Sequence, residues 1–161
     1  YYKREDNGEL SDASSIAVAD SLKFTTPNGK VVYGGGGIIP DVFVPIDKKM
    51  ENRTIDRIID SGIMSYFVFE DLDKDRTPYQ NISQEDFVKN HIISNEQLEH
   101  FTGYLNKRTR YKITFVAYRE EVKLYIKATL AEQLYGSEAH MQVLNANDAM
   151  LEKAKELAVN N

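Results

Sequence analysis

The sequence contains no cysteine among its 161 residues, and this absence excludes several kinds of site. Disulfide frameworks, zinc ribbons, iron–sulfur clusters and thiol nucleophiles all require that side chain. Long apolar runs are also missing, since no stretch approaches the roughly 18 residues typical of a membrane span. No basic segment followed by an apolar one stands at the start, so we expect neither a membrane span nor a secretion leader in this chain.

Positive charge is scarce relative to negative charge. Lysine and arginine number 20 against 25 acidic residues, which gives a net charge of -5. An acidic chain repels phosphate backbones and anionic lipid surfaces, so we expect no nucleic-acid partner. What the chain does have is a hydrophobic content of 42%, which is enough for the core of a folded domain.

Glycine and proline are unevenly distributed and divide the chain into two predicted parts. Residues 1–49 hold six of the nine glycines and three of the four prolines, among short β-rich runs at residues 22–26, 31–33 and 42–44. Asn28-Gly29 lies between the first two runs and tolerates the positive backbone angles of a tight turn. The pattern predicts a β-hairpin over residues 22–34 and an extra strand at the third run.

From residue 50 onward the apolar residues recur at helical spacing. The firmest prediction is a helix over residues 120–134, ended by Gly136, with further helices over 53–61, 63–72 and 94–107 and one after Asn147. The inner face predicted for the last helix consists of Met150, Leu151, Ala154, Leu157 and Ala158. Residues 111–115 fit either a strand or the entry to a helix. The predicted fold class is α+β, mostly helical with a small antiparallel β portion at the N-terminus.

Two stretches invite a chemical interpretation that the neighbouring residues oppose. The run of four glycines at residues 34–37 lacks the lysine and the following helix of a phosphate loop, which favours a turn between strands. Asp71, Asp73 and Asp75 are spaced like the start of a calcium loop, but Arg76 and Ile82 replace its glycine and its glutamate. A solvated helix end is the favoured interpretation there, and a metal-dependent enzyme is the weakest of our hypotheses.

No other constellation of catalytic residues is present in the sequence. The three histidines, His91, His100 and His140, include no pair at the spacing of a helical zinc site. Neither a Gly-x-Ser-x-Gly elbow nor a Ser-x-x-Lys pair occurs. We therefore predict no catalytic, cofactor-binding or metal-binding residue in this chain, and no cofactor.

One segment of the β-rich part carries a resemblance to a known family. Thr25 to Lys30 reads Thr-Thr-Pro-Asn-Gly-Lys, and the four glycines are followed by Ile38 to Asp41, which reads Ile-Ile-Pro-Asp. This succession resembles the end of the catalytic domain in carboxyl-terminal processing proteases, the tail-specific serine peptidases, of the Bacteroides-type branch. The helical part is a weaker match to that branch's C-terminal extension.

The resemblance implies an activity that this chain does not itself carry. The family hydrolyses peptide bonds near the C-termini of its substrates with a Ser/Lys dyad, which would precede Tyr1, as would its PDZ domain. The abrupt start at Tyr1 fits a cut inside a longer protein. Residues 1–49 would then end the protease catalytic domain, and residues 50–161 would form a helical C-terminal domain for assembly, regulation or docking.

The same resemblance implies partners and a location. The partners are the protein or peptide substrates of the parent protease, and the location is the periplasm or cell envelope. Unpaired strand edges favour pairing with another chain, so we expect the hairpin to be covered by the helices or by a second copy. The alternative function is a free-standing helical protein-interaction module with no link to a protease.

Overall fold

The computed structural model of the chain describes residues 6–9, 11–12, 15–16, 20–34, 42–45, 53–110 and 112–159. The chain divides into two compact units, Tyr1–Glu51 and Asn52–Asn161. The described residues contain seven α-helices and one antiparallel sheet of two strands. The predicted fold class, mostly helical with a small β portion near the N-terminus, is confirmed.

A β-hairpin is the regular structure of the first unit. Strand β1 covers Lys23–Thr25 and strand β2 covers Val31–Tyr33, after a 3-10 turn at Asp20–Leu22. Phe24 lies opposite Val32 in the antiparallel register. The predicted hairpin is therefore confirmed, whereas residues 42–45 form no strand. The β-rich run at residues 42–44 predicted an extra strand, but no strand pairs with these residues in the described part of the chain.

The hairpin loop is three residues long and uses glycine at one position. Thr26 N–H donates to the Lys30 carbonyl at 2.8 Å, and Gly29 N–H donates to the Thr26 carbonyl at 2.9 Å. Gly29 has a φ of 79°, and no residue other than glycine has a positive φ in the described part of the chain. Only Gly29 adopts the left-handed conformation, so the loop is a turn closed by a glycine bulge rather than a two-residue turn with both angles positive.

The second unit consists of the seven helices. They are α1 (Arg53–Asp60), α2 (Ile63–Lys74), α3 (Gln84–Asn90), α4 (Asn95–Arg108), α5 (Arg119–Tyr135), α6 (Ser137–Leu144) and α7 (Ala149–Val159). Short 3-10 turns lie at Thr77–Tyr79 and Asn145–Asn147. Gly62 has a φ of 69° between α1 and α2, and this left-handed conformation favours glycine at the turn.

Capping explains where the fourth helix begins. The Ser94 hydroxyl accepts a hydrogen bond from Gln97 N–H at 3.1 Å, and the Gln97 side-chain oxygen accepts one from Ser94 N–H at 2.9 Å. This reciprocal pair is a capping box, which satisfies two backbone donors that a helix start leaves free. Both Ser94 and Asn95 are residue types that commonly cap helices, and the structure places the cap at Ser94.

Helix α5 is central to the helical unit because it packs against α2, α3, α4 and α6. Val122, Ile126, Thr129 and Leu130 are buried on its inner face, as the spacing predicts. The largest fully buried side chains of the core are Phe87, Phe101, Ile55, Leu72, Leu98 and Leu105. Burying such side chains contributes roughly 1.5–3 kcal/mol each, so this core dominates the stability of the unit.

Residues 112–115 are neither strand nor helix, although the sequence left both open. The Asn106 side chain instead holds this segment at Ile113. Its amide nitrogen donates to the Ile113 carbonyl at 2.9 Å, and its oxygen accepts from Ile113 N–H at 2.6 Å. Phe115 is buried and stacks on Phe101 with ring centroids 6.1 Å apart. The Asn106 side chain thus makes the two hydrogen bonds with the Ile113 backbone that a neighbouring strand or a helical turn would otherwise make.

Helix α7 forms where the sequence predicts it, but its burial differs from the prediction. Asp148 Oδ1 accepts from Met150 N–H at 2.8 Å and Leu151 N–H at 2.9 Å, which caps the first turn. No residue of this helix is buried. The prediction that its apolar residues form an inner face is therefore wrong for the single chain. Among the described residues, no helix combines the length and apolar character needed to cross a membrane.

Candidate functional site

The aspartates weighed as metal ligands in the sequence lie at the end of α2 and directly after it. Asp71 and Asp73 lie in the last turns of α2, and Asp75 follows its end. Asp75 accepts a hydrogen bond from Thr77 N–H at 2.8 Å, and hydrogen bonding with Thr77 lowers the pKa of Asp75. The prediction of a helix end is confirmed. In the part of the chain that the structure describes, no group of three acidic or histidine side chains could hold a metal ion.

The glycine run at residues 34–37 lies mostly outside the described residues. Gly34 is described, and its N–H donates to the Leu22 carbonyl at 2.7 Å beyond the end of the hairpin ladder. A Cβ placed on Gly34 would come within 3.0 Å of the Phe24 ring. The absence of a side chain at Gly34 lets that ring lie close to the backbone at the end of β2.

The hairpin carries apolar side chains on both of its faces. Phe24 and Val32 are cross-strand partners and share one face, while Val31 and Tyr33 project to the other. All six strand residues are exposed, and Phe24 is 57% exposed. Lys23 and Thr25 share the second face, so β1 alternates polar and apolar residues. Strand β2 is apolar on both faces, as is typical of a strand that is covered on both. We call these four side chains the hairpin surface.

The edges of the hairpin are as open as its faces. Among the described residues β1 and β2 pair only with each other, so the outward backbone groups of both strands have no strand partner. Open edges of this kind are templates for a further strand. The hairpin surface and its edges together form a candidate docking region for another β-sheet.

A second candidate lies where α3 meets α5. Lys127 of α5 donates from Nζ to the Val88 carbonyl at 2.7 Å, in the last turn of α3. Within the described residues no carboxylate lies in ion-pair range of Lys127, and burial lowers the pKa of its ammonium group. His91, which follows α3, stacks on Phe87 with centroids 4.4 Å apart, and its Nε2 is buried with no hydrogen-bond partner. We call Lys127 and His91 the α3–α5 pair.

The surroundings of His91 favour the neutral form of its ring by lowering its pKa. Burial is the larger cause and the positive charge of Lys127 the smaller one, and both lower the pKa of the imidazole. The pair therefore places one ammonium group at a helix C-terminus, where the helix dipole favours a cation. Tyr135 adds a similar contact by donating from its hydroxyl to the Ile82 carbonyl at 2.9 Å. These hydrogen bonds tie α5 to α3 and to the segment that precedes it.

The remaining histidines also lie in structural contacts. His100 Nδ1 is 3.6 Å from a carboxylate oxygen of Asp71, and its ring contacts Phe67 edge-on. His140 Nδ1 lies 3.1 Å from the Ala128 carbonyl. The two side chains are on different helices and share no partner, so they form no joint site.

Sequence reasoning missed the α3–α5 pair and found the hairpin. Lys127 and His91 are far apart in the sequence, and only the packing of α5 on α3 brings them together. The signal present in the sequence is the spacing of Phe87 and His91, which are four residues apart and stack at the end of one short helix.

Most of the helical unit matches the model of a known protein family. A family model matches residues 54–136, just over half of the chain, and describes a family of unknown function, DUF8443. The chain belongs to DUF8443. The matched segment runs from the first turn of α1 to the glycine after α5, so it includes the α3–α5 pair and excludes the hairpin. Neither a curated protein nor a solved structure matches the chain.

Proposed function

We propose that this chain is the non-catalytic C-terminal part of a bacterial carboxyl-terminal processing serine protease. Its β-rich part would supply late strands of the protease sheet, and its helical part would serve assembly, regulation or docking of substrates. The Ser/Lys dyad of the parent protein lies elsewhere, so the chain alone is inactive. The parent protein acts on protein or peptide substrates in the periplasm or cell envelope.

The observation that carries this proposal is the hairpin surface. Strand β2 is apolar on both faces, and neither strand has a further strand partner among the described residues. Both features are typical of strands that belong to a larger layered sheet. The Thr-Pro-Asn-Gly-Lys string, with its bulge at Gly29, forms the loop of that hairpin. Thr25 to Lys30, the first part of the segment that resembles the protease family, therefore lie in this hairpin, whereas Ile38 to Asp41 lie outside the described residues.

One observation favours the alternative of a free-standing interaction module. The DUF8443 match lies within the helical unit, and that unit has its own buried core. A domain with its own core can fold by itself and occur beside different neighbours. Under this alternative the hairpin is an appendage whose resemblance to the protease arose by chance.

The encoding gene on the 5′ side of the Tyr1 codon separates the two proposals. Under the protease proposal, the open reading frame continues upstream and encodes a PDZ domain, a serine and a lysine about two dozen residues later. A stop codon close to Tyr1 in the same frame would overturn it and leave the interaction module.

A peptidase assay tests the inactivity of the chain itself. The purified 161-residue chain is incubated with an unstructured protein, and we expect no cleavage above the buffer control. The longer gene product, carrying the dyad, should cleave the same substrate and lose that activity when the serine is replaced by alanine. Cleavage by the short chain that serine-directed inhibitors abolish would contradict the proposal.

A further inference from the structure

Helix α7 differs from the other long helices because its apolar face is uncovered. Met150 is 50% exposed, Leu151 39% and Leu157 38%. Helical geometry places these three residues on the same side as Ala154 and Ala158. An isolated helix of 11 residues is marginal in water, so an apolar face of this kind favours a partner.

The residues around Ala154 are arranged symmetrically. Reading outward in both directions from Ala154, the sequence gives lysine, glutamate and leucine, so Leu151 to Leu157 is a palindrome. Beyond it, Met150 and Ala158 are also equally distant from the centre, and they pair a large side chain with a small one. A helix of this kind presents nearly the same surface when its direction is reversed.

From this symmetry we infer that α7 pairs with α7 of a second copy of the chain, antiparallel and with Ala154 at the two-fold axis. The small side chain at the axis allows the two helices to approach closely. On either side of it, Met150 and Leu151 of one helix form a layer with Leu157 and Ala158 of the second copy. The contact is isologous, with the same patch on both chains, as is usual in homodimers.

The charges beside the apolar face suit this pairing. Lys155 bonds to Glu152 at 2.8 Å along one edge of the helix, and Lys153 bonds to Glu156 at 2.7 Å along the other. Each edge therefore has no net charge. In the antiparallel pair, Lys155 lies on the same edge as Glu152 of the second copy and about one residue rise from its level, so each lysine keeps a glutamate within reach. Opposed helix dipoles also favour this direction over the parallel one.

A charged substitution at the face tests the pairing. Sedimentation equilibrium of the 161-residue chain over a concentration series should show a monomer–dimer equilibrium. A contact of two short helices belongs to the smallest class of interfaces, so we expect dissociation in the micromolar range or weaker. Leu157→Glu should abolish the dimer. Met141→Glu makes the same change of charge at an exposed apolar residue of α6, and it should leave the dimer unchanged.

A crosslinking experiment tests the position of the axis. The chain has no cysteine, so Ala154→Cys introduces a single thiol. Under mild oxidation this variant should form a disulfide dimer much faster than Val159→Cys, because only position 154 lies at the two-fold axis. Circular dichroism of both variants checks that the helical content is retained.

Four results would overturn the inference. One is a monomer at every concentration while α7 stays helical. The second is a dimer that survives Leu157→Glu and is lost on substitution in the hairpin surface, because the strand edges would then be the interface. The third is equal crosslinking of the two cysteine variants. The last is binding of a monomeric chain to anionic phospholipid vesicles through Leu157, because the face would then serve a lipid surface. None of these results bears on the proposed protease link.

Discussion

The core of the helical unit and the hairpin both contain large apolar side chains, but they expose them to very different degrees. Phe101 of α4 is fully buried, whereas Phe24 of β1 is 57% exposed. Both belong to apolar patterns in the sequence, one with helical and one with strand spacing. The difference shows that apolar periodicity identifies a face and leaves open whether this chain itself covers it. For the core of the helical unit, the chain itself supplies the helices that cover it. For the hairpin surface and for α7, we propose that other chains or segments do so.

Truncating Phe101 should have the largest effect of the substitutions proposed here. Its ring contacts Phe67 at 5.1 Å and stacks on Phe115, so Phe101→Ala leaves a cavity that these rings cannot fill. We expect a loss of about 3–5 kcal/mol in the free energy of unfolding, measured by urea denaturation followed by circular dichroism. Phe69→Ala removes the same atoms from a side chain that is 55% exposed, and it should cost under about 0.5 kcal/mol. If both variants lost the same unfolding free energy, the difference in burial between Phe101 and Phe69 would not determine their contributions to stability.

Removing the Asn106 side chain should have the next largest effect. Asn106→Ala leaves Ile113 without both of its hydrogen bonds, in a segment that has no helix or ladder to replace them. We expect a loss of about 1–3 kcal/mol, since partly buried backbone groups would stay unpaired. Hydrogen exchange at the Ile113 amide should accelerate at the same time. Asn90→Ala, at the exposed end of α3, is the matched control. If the Ile113 amide stays protected in the Asn106 variant, the two hydrogen bonds from Asn106 are not needed to hold this segment.

Much of the helical unit could be predicted because its local signals agree with its packing. The buried face of α5 follows from apolar residues three and four apart, and Ser94 followed by Gln97 marks the start of α4. Helices α3 and α6 are not among the predicted helices. Each spans only about two turns, and α3 buries only Phe87 while α6 buries only Ala139 and Val143, so neither has the large aliphatic pair that marks the equally short α1. Gly136 ends α5 as predicted, but the same residue also precedes α6. A glycine that marks the end of one helix in the sequence does not indicate whether another helix begins directly after it.

The candidate sites could be predicted only where they depend on neighbouring residues. Asn28-Gly29 predicted the hairpin because the turn is local. The contact between Lys127 and the end of α3 depends on packing between distant segments, which periodicity does not specify. The exposure of α7 was equally out of reach, because its spacing matches that of a buried helix.

Replacing His91 should change how the stability depends on pH. The folded-state pKa of His91 is lowered, so the unfolded chain takes up more protons when the pH falls below about 6.5. Stability present above that pH is thus lost as the pH falls towards the folded-state pKa. His91→Phe keeps a ring on Phe87 and removes the titrating group. We expect the variant to lose less stability than the parent chain between pH 7 and 5, as measured by urea denaturation at several pH values.

Lys127→Gln sharpens the same test. Glutamine keeps an N–H donor for the Val88 carbonyl and removes the positive charge, so the pKa of His91 should rise towards its ordinary value. Titration of the imidazole by NMR measures this directly. If His91 titrates at the same pH in both chains, burial alone controls the pKa and the charge of Lys127 plays no part.

Truncating Phe24 should have the smallest effect on the chain by itself. Phe24→Ala removes a ring that is mostly in water, and we expect a change under about 0.5 kcal/mol in the free energy of unfolding. In the longer protein proposed above, neighbouring strands would cover this ring, so the same substitution should cost about 3 kcal/mol or more and reduce peptidase activity. Denaturation of both proteins, with Phe69→Ala as the exposed control, measures the difference. A large loss in the 161-residue chain would show that a second copy already covers the hairpin surface, and a small loss in both would remove the structural support for the protease proposal.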